Sequence, residues 1–335
     1  MNYITLRNQM IQQAAKTKTP IMGEFELTPS CNLACKMCYV RETQSQKELT
    51  TSQWKELFLE AKKEGLLFCL LTGGEIFLRK DFQELYEYIY DLGIRVSLYT
   101  NGTLITDEVV SFLSLRKPDF IGITLYGANP EQYKEITGSS LAFHQVEAGI
   151  KRLQEANIPL LVRTIAIQSI YQNLDEVIQY FKDHHFSVSY SLYVGPRRSC
   201  PGSESVDRLT PSELVDYKNQ FLEAFGVSKS IEVNDCFSSF RCVAGKSSYF
   251  VRWDGTIMPC AMLEVPRFDA LLSFKKAWGD LGEAIQKVPL CDEYATCSLR
   301  STCIQCPASR YLEGGFSKCS SYLKEIAREL KEKES

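Results

Sequence analysis

Short apolar runs alternate with amphipathic stretches along the first 195 residues. Residues 22–28, 66–72, 94–99, 120–125, 160–167 and 188–194 read as strands, and 66–72 has the unbroken apolar character of a strand buried on both faces. Between them lie stretches with helical spacing. One is capped by Thr50 or Thr51, runs to Lys63 and stops at Gly65. Others span 81–92, ended by Gly93, and 107–115, 141–156 and 174–184. Six strand–helix units predict a parallel sheet with helices outside it. A closed barrel would take eight.

The rest of the chain is patterned differently. Residues 1–20 form a polar helical lead-in, too few for a separate peptide-binding domain. Residues 196–234 are a polar connection followed by a helix over 210–225, with Pro211 in its first turn. Residues 235–320 are cysteine-rich, and Asp254-Gly255 between two short apolar runs predicts a hairpin of 248–251 with 256–259. Residues 321–335 are expected to be a charged, solvated helix.

Composition narrows the function. The 335 residues are 44% hydrophobic, enough for one large domain, residues 21–195, and a smaller one. A net charge of −3 without a long basic run argues against a nucleic-acid partner. No apolar run reaches the ~18 residues of a membrane span, and the N-terminus has no signal-peptide core, so a cytoplasmic protein is expected. In that compartment thirteen cysteines point to metal rather than to structural disulfides. Eleven of them fall into spaced groups, with His144, His184 and His185 outside those groups.

The first group is Cys31-x3-Cys35-x2-Cys38, followed by Tyr39, at the end of the first strand. Three thiolates can hold three irons of a [4Fe–4S] cube and leave the fourth open, whereas electron-transfer cubes and closed zinc sites take four ligands. Gly73-Gly74-Glu75 follows the second strand. Ligands bind at this C-terminal rim in parallel α/β folds. The pattern resembles the radical S-adenosylmethionine (radical SAM) enzymes, whose fold is an open (β/α)6 partial TIM barrel. The resemblance implies that S-adenosylmethionine chelates the open iron through its amino and carboxylate groups.

It also implies contacts for that cofactor. The two glycines would let backbone approach the methionine end, and Glu75 would accept from its ammonium. Tyr39 would lie at the adenine edge, Asn101 would bond ribose or adenine, and Leu192 would pack on adenine. Thr124 keeps a hydroxyl for ribose or carboxylate, and Arg163 would reach the carboxylate. Relatives often carry Ser-Leu-Asp-Gly where this chain has Thr124-Leu125-Tyr126-Gly127, so the acid is replaced by Tyr126. Each position also has a plain structural alternative: a strand-to-helix turn, an Asn-Gly turn, a surface-paired arginine, a core leucine. Cys69 sits inside an apolar strand and is expected to be packing. Cys200, at the rim after the sixth strand, is a candidate catalytic thiol or a surface cysteine.

The tail cysteines, with Gly255 five residues before Cys260, are similar to the SPASM extension of the same superfamily, which carries two auxiliary [4Fe–4S] clusters. Family order implies Cys236, Cys242, Cys260 and Cys306 for one and Cys291, Cys297, Cys303 and Cys319 for the other. That makes three clusters, with a flavodoxin- or ferredoxin-type electron donor. The implied activity is reductive cleavage of S-adenosylmethionine and oxidative modification of a precursor peptide, with a separate leader-recognition protein or direct binding. Tetrapyrrole (heme) chemistry is an alternative, for which Arg197, Arg198, Arg241 and Arg252 are possible carboxylate partners. Sulfatase maturation is disfavoured by Ala261, where those enzymes carry Asp after the cysteine matched by Cys260. A non-catalytic zinc scaffold is the alternative of another class.

Overall fold

The computed structural model describes residues 3–40, 47–226, 240–303 and 306–334. Six parallel strands form the body: β1 (Met22–Glu26), β2 (Phe68–Thr72), β3 (Arg95–Thr100), β4 (Ile121–Thr124), β5 (Leu160–Ile165) and β6 (Val188–Ser191). Each pairs with its sequence neighbour, and β6 and β1 are not joined, so the barrel is open. The strands after β1 follow helices α2 (Thr51–Lys63), α3 (Phe82–Asp91), α4 (Asp107–Leu115), α5 (Pro130–Thr137) with α6 (Leu141–Glu155), and α7 (Gln168–Tyr171) with α8 (Leu174–Asp183). A preceding helix, α1, covers Tyr3–Thr17.

The alternation decides which side chains face out. Phe25 points to the helices and packs against Phe58, ring centroids 4.4 Å apart, and against Trp54. Its strand neighbours Glu24 and Glu26 therefore face the barrel interior. Helix α2 starts where expected: Thr50 and Gln53 form a reciprocal capping box. Helix α5, which the hydrophobic pattern did not reveal, has clear punctuation: Asn129 caps it, Pro130 opens it and Gly138 closes it in the left-handed region at φ 81°.

The C-terminal half differs more from expectation. The hairpin of β7 (Ser248–Val251) and β8 (Thr256–Met258) forms as the Asp-Gly turn predicts. It does not stand apart, because β7 adds in parallel to β1 and β9 (Phe268–Asp269) extends the sheet to nine strands. Tyr249 meets Phe25 on one side and Phe274 and Trp278 of α10 (Phe274–Ala284) on the other, so one core runs from barrel to hairpin. Helix α9 (Pro211–Phe225) is capped by Thr210 and Glu213. A short α11 covers Pro307–Leu312, and α12 covers Ser321–Glu334. The expectation that this last helix is solvated is corrected: Leu323, Ile326 and Ala327 are buried, and α12 packs against α9. No helix among the described residues is long and apolar enough to cross a membrane.

Candidate active site

Three loops meet at the C-terminal rim of β1, β2 and β3. The loop after β1 carries Cys31, Cys35 and Cys38, all half-buried. It is braced from outside by α5. The Ala34 N–H donates to Thr137 O (3.0 Å) and the Lys36 N–H to Ile136 O (3.0 Å), which occupies carbonyls at a helix end that otherwise lack partners. The Lys36 ammonium pairs with Glu135 (3.0 Å) and Asp207 (3.2 Å), tying the loop to the connection after β6.

From inside, the turn after β2 supports the same loop. The Gly74 N–H donates to Thr28 O (2.7 Å) and the Glu75 N–H to Ser30 O (2.8 Å). A Cβ on Gly73 would stand 2.6 Å from Thr28 O, and one on Gly74 would stand 2.7 Å from Pro29 O. The two glycines are thus required by the approach of one backbone to another. The Glu75 carboxylate is fully buried and accepts from the Phe77 N–H (3.2 Å), the Asn101 N–H (2.7 Å) and the Thr100 hydroxyl (2.7 Å). Burial pushes its pKa up, and these donors pull it back toward the charged form. Within the chain, Glu75 locks three rim segments together. Arg79 adds a second lock by reaching Leu27 O (2.9 Å), Glu48 and Asp81.

The sulfurs have donors of their own. The Asn101 side-chain amide reaches Cys31 Sγ (3.7 Å) and Asn32 (2.8 Å), and the Leu33 N–H also reaches Cys31 Sγ (3.5 Å). Asn101, expected at ribose or adenine, therefore has its amide committed to the cysteine loop. Burial, then the neighbouring Cys38 and Cys31, push the Cys35 thiol up to about 12. Burial also raises Cys31. Buried thiols such as Cys31 and Cys35, which resist ionisation, suit a cationic metal centre, which offsets that cost. Among the described residues no three His, Cys, Asp or Glu side chains converge on one point as a single ion needs. A cube instead takes its thiolates on separate irons.

The other expected cofactor contacts spread around the barrel mouth. Thr124 ends β4 beside Arg163 of β5, in register. The Arg163 guanidinium stacks on the Tyr99 ring at 4.0 Å, in space left by Gly122. Tyr39 is 41% exposed, with the Arg198 guanidinium 5.3 Å from its ring. Leu192 lies just past β6 and packs on the core. Cys69 is buried, as expected for packing. Cys200 is exposed in the loop after β6, where its N–H donates to Arg197 O (2.9 Å) and the Ser199 hydroxyl approaches its sulfur.

The tail gathers two further groups of sulfurs. Cys260 is pushed up to about 12 by burial and then by Cys306 and Cys242, so these three lie near one another. Cys236, assigned to the same group, lies outside the described residues. Cys291, Cys297, Cys303 and Cys319 line one cavity closed by Leu323 and Ile326 of α12, with Cys306 on its wall. Cys319 is pushed up to about 11 by burial and by Cys291 and Cys303. Of the four arginines considered for carboxylate binding, Arg198 and Arg252 do meet, but on acids. Arg198 pairs with Glu26 (3.0 Å) and Glu264 (3.3 Å), and Arg252 with Glu264 (3.2 Å) and Asp254 (3.1 Å). Both are almost fully buried.

Residues 25–184 match the model of the Radical SAM superfamily. The AdoMet-dependent heme synthase of Methanosarcina barkeri is 27% identical, covering 90% of this chain and 95% of that one. The sporulation killing factor maturation protein SkfB of Bacillus subtilis is 25% identical, covering 83% of this chain and 68% of that one. Among solved structures, Streptococcus suis SuiB bound to the precursor peptide SuiA superposes with a TM-score of 0.70 at 18% identity, covering 96% of this chain and 81% of that one; at this identity the likeness is one of fold.

Proposed function

The chain is a radical SAM enzyme through residues 25–184, and on that premise we propose that it modifies a peptide oxidatively, using a [4Fe–4S] cluster on Cys31, Cys35 and Cys38. The observation that carries this is the three-thiol loop, braced by α5 and by the Gly-Gly-Glu turn at the barrel rim. The cluster and S-adenosylmethionine, when bound, supply reductive carbon–sulfur cleavage and a hydrogen-abstracting 5′-deoxyadenosyl group. The chain's own residues do the rest. Asn101 and Leu33 orient Cys31, Glu75 holds the rim segments in place, and Thr124 and Arg163 face the barrel mouth, where a ribose and a carboxylate would need a hydroxyl and a cation.

The two tail groups are proposed as auxiliary clusters: Cys242, Cys260 and Cys306 with Cys236, and Cys291, Cys297, Cys303 and Cys319. They would take the electron that an oxidative outcome releases. A peptide substrate is supported by the maturation activity in the name of the B. subtilis relative and by the peptide bound to the S. suis protein. A flavodoxin- or ferredoxin-type donor and a leader-recognition partner belong to this proposal.

A tetrapyrrole substrate is the second reading, favoured by the match along 95% of the heme synthase. Against it, Arg198 and Arg252 are committed to Glu26, Glu264 and Asp254, so neither is available for propionates. The test is anaerobic reconstitution with iron and sulfide, then detection of 5′-deoxyadenosine with a strong reductant. About twelve irons per chain and cofactor cleavage are expected; full iron loading without cleavage would overturn the reading. Mass change of a precursor peptide, against turnover of a tetrapyrrole, then decides the substrate.

A further inference from the structure

Cys35-Lys36-Met37-Cys38 closes as a turn, with the Cys38 N–H donating to Cys35 O (3.2 Å), so whatever fixes Lys36 fixes the direction of two of the three sulfurs. An ammonium has three donors. Those of Lys36 meet three oxygens from three elements: Glu135 of α5 (3.0 Å), the Ser169 hydroxyl of α7 (2.5 Å) and Asp207 of the connection after β6 (3.2 Å). The Glu135 side chain is 52% exposed and that of Asp207 only 11%, so water screens the first pair more than the second. Asp207 is itself held in place. The buried Ser169 hydroxyl reaches its carboxylate (2.8 Å), and the Gln168 N–H donates to Asp207 O (2.8 Å). Its backbone stands in the left-handed region at φ 63°, which Asp adopts more readily than most residues. Next to it, Arg208 bridges to Ile167 and pairs with Glu313 at the end of α11 (2.6 Å).

We propose that Asp207 is a positioning residue which, acting through Lys36, fixes the Cys35–Cys38 turn and thereby sets the affinity of the rim site for S-adenosylmethionine. The inference rests on the cluster assignment above. The Lys36 N–H already anchors the turn to Ile136 O (3.0 Å). One anchor leaves the turn free to rotate about it, and the ammonium supplies a second. Two sulfurs and the following Tyr39 move with this turn. A loose turn would have to be ordered by the cofactor as it binds, at the expense of affinity, whereas a turn held in advance carries no such cost.

The test is a titration of the reconstituted full-length protein with S-adenosylmethionine, followed by EPR. Asp207→Asn keeps the size and the left-handed backbone and removes the charge. The cofactor concentration that changes half of the signal should rise by about tenfold, the scale of one hydrogen bond to a charged group, with iron per chain unchanged. In the iron-free protein, amide hydrogen exchange across residues 33–39 should quicken in the same variant. Lys36→Met breaks the pair from its other side, and this arm stands even where the Asn variant misfolds. The double variant should bind no more weakly than Lys36→Met alone, because Asp207 acts through Lys36. An unchanged half-point in Asp207→Asn, or additive losses in the double variant, would overturn the inference while leaving the cluster intact. Wild-type protein with no signal responsive to S-adenosylmethionine would instead defeat the cluster assignment beneath it.

Discussion

The cysteine loop at the barrel rim and the cysteine-lined cavity of the tail gather thiols by opposite means. In the loop, the backbone is already committed: Ala34 and Lys36 to the end of α5, Thr28 and Ser30 to the turn after β2. Those supports belong to a large apolar core around Phe25, Trp54 and Phe58. The cavity takes its thiols from turns and from the approach to α12, and the only helix between Cys303 and Cys319 among the described residues is the six-residue α11. Its supports are single contacts, such as Asp292 N–H to Ser317 O (2.9 Å) and Arg310 to Pro289 O (3.2 Å). A group bound in the first region would enter a finished scaffold. One bound in the second would be part of the scaffold, with its binding energy serving as folding energy.

The largest expected effect separates chemistry from stability. Cys35→Ala should reduce 5′-deoxyadenosine formation to background and remove about four of about twelve irons. The midpoint of thermal unfolding should hold within a few degrees, because the core does not use that thiol. Cys303→Ala should do the reverse, sparing cofactor cleavage while destabilising the tail. If Cys35→Ala unfolded the barrel, the contrast between the two regions would collapse.

A smaller effect should follow iron removal from the intact protein. Limited proteolysis after chelation is expected to cut within 289–320 well before any site in β1–β6. Equal cutting rates in both regions would mean that the tail does not depend on its metal.

How far the sequence discloses each region follows the same divide. The six strands and their helices are local patterns, and the Cys31 spacing is a local motif, so both could be read from the chain. Helix α5 escaped because its eight residues carry only Tyr133 and Ile136 as apolar anchors, although the Asn129-Pro130 entry and the Gly138 exit were there to be read. The bracing of the cysteine loop through Ala34 and Lys36 depends on α5 and was hidden with it. The Arg198–Glu26–Glu264–Arg252 network joins positions remote in the chain, which no spacing rule reports. The grouping of the tail sulfurs came from family order, because coil without periodicity carries no register. Glu75 shows a subtler limit: its motif marks the rim, but only the packed structure shows its carboxylate committed within the chain.

A substitution at the inner support of the loop sharpens the comparison further. Gly74→Ala places a methyl against Pro29 and Ser30 backbone that cannot yield cheaply. A cost of about 1–3 kcal/mol is expected from overpacking of this kind. Iron should be lost from the rim cluster and retained in the tail, a split readable from EPR signals with and without S-adenosylmethionine. An unchanged rim signal would show that the loop tolerates displacement of its inner support.

The smallest expected effect lies in the tail, at Thr302. Its hydroxyl donates to Ala327 O (2.8 Å) and so ties the turn beside Cys303 to α12, which closes the cavity. A single bond of this kind is worth about 0.5–1.5 kcal/mol. In the iron-loaded protein, four thiolates on one cluster would hold the same segments, so Thr302→Ala should barely move the unfolding midpoint. Once iron is leaving, the bond is one of few contacts that keep the wall in place. Iron release to a chelator should then quicken by about two- to thirteenfold, the rate equivalent of that energy. Thr302→Ser, which keeps the hydroxyl, should restore the slow rate. Thr50→Ala, which removes the α2 cap in the barrel at about 1 kcal/mol, serves as the matched control. It should lower the unfolding midpoint without quickening iron release from the tail. Equal acceleration by both substitutions would mean that iron leaves by global unfolding, and the distinction between a finished scaffold and one completed by its cluster would fail.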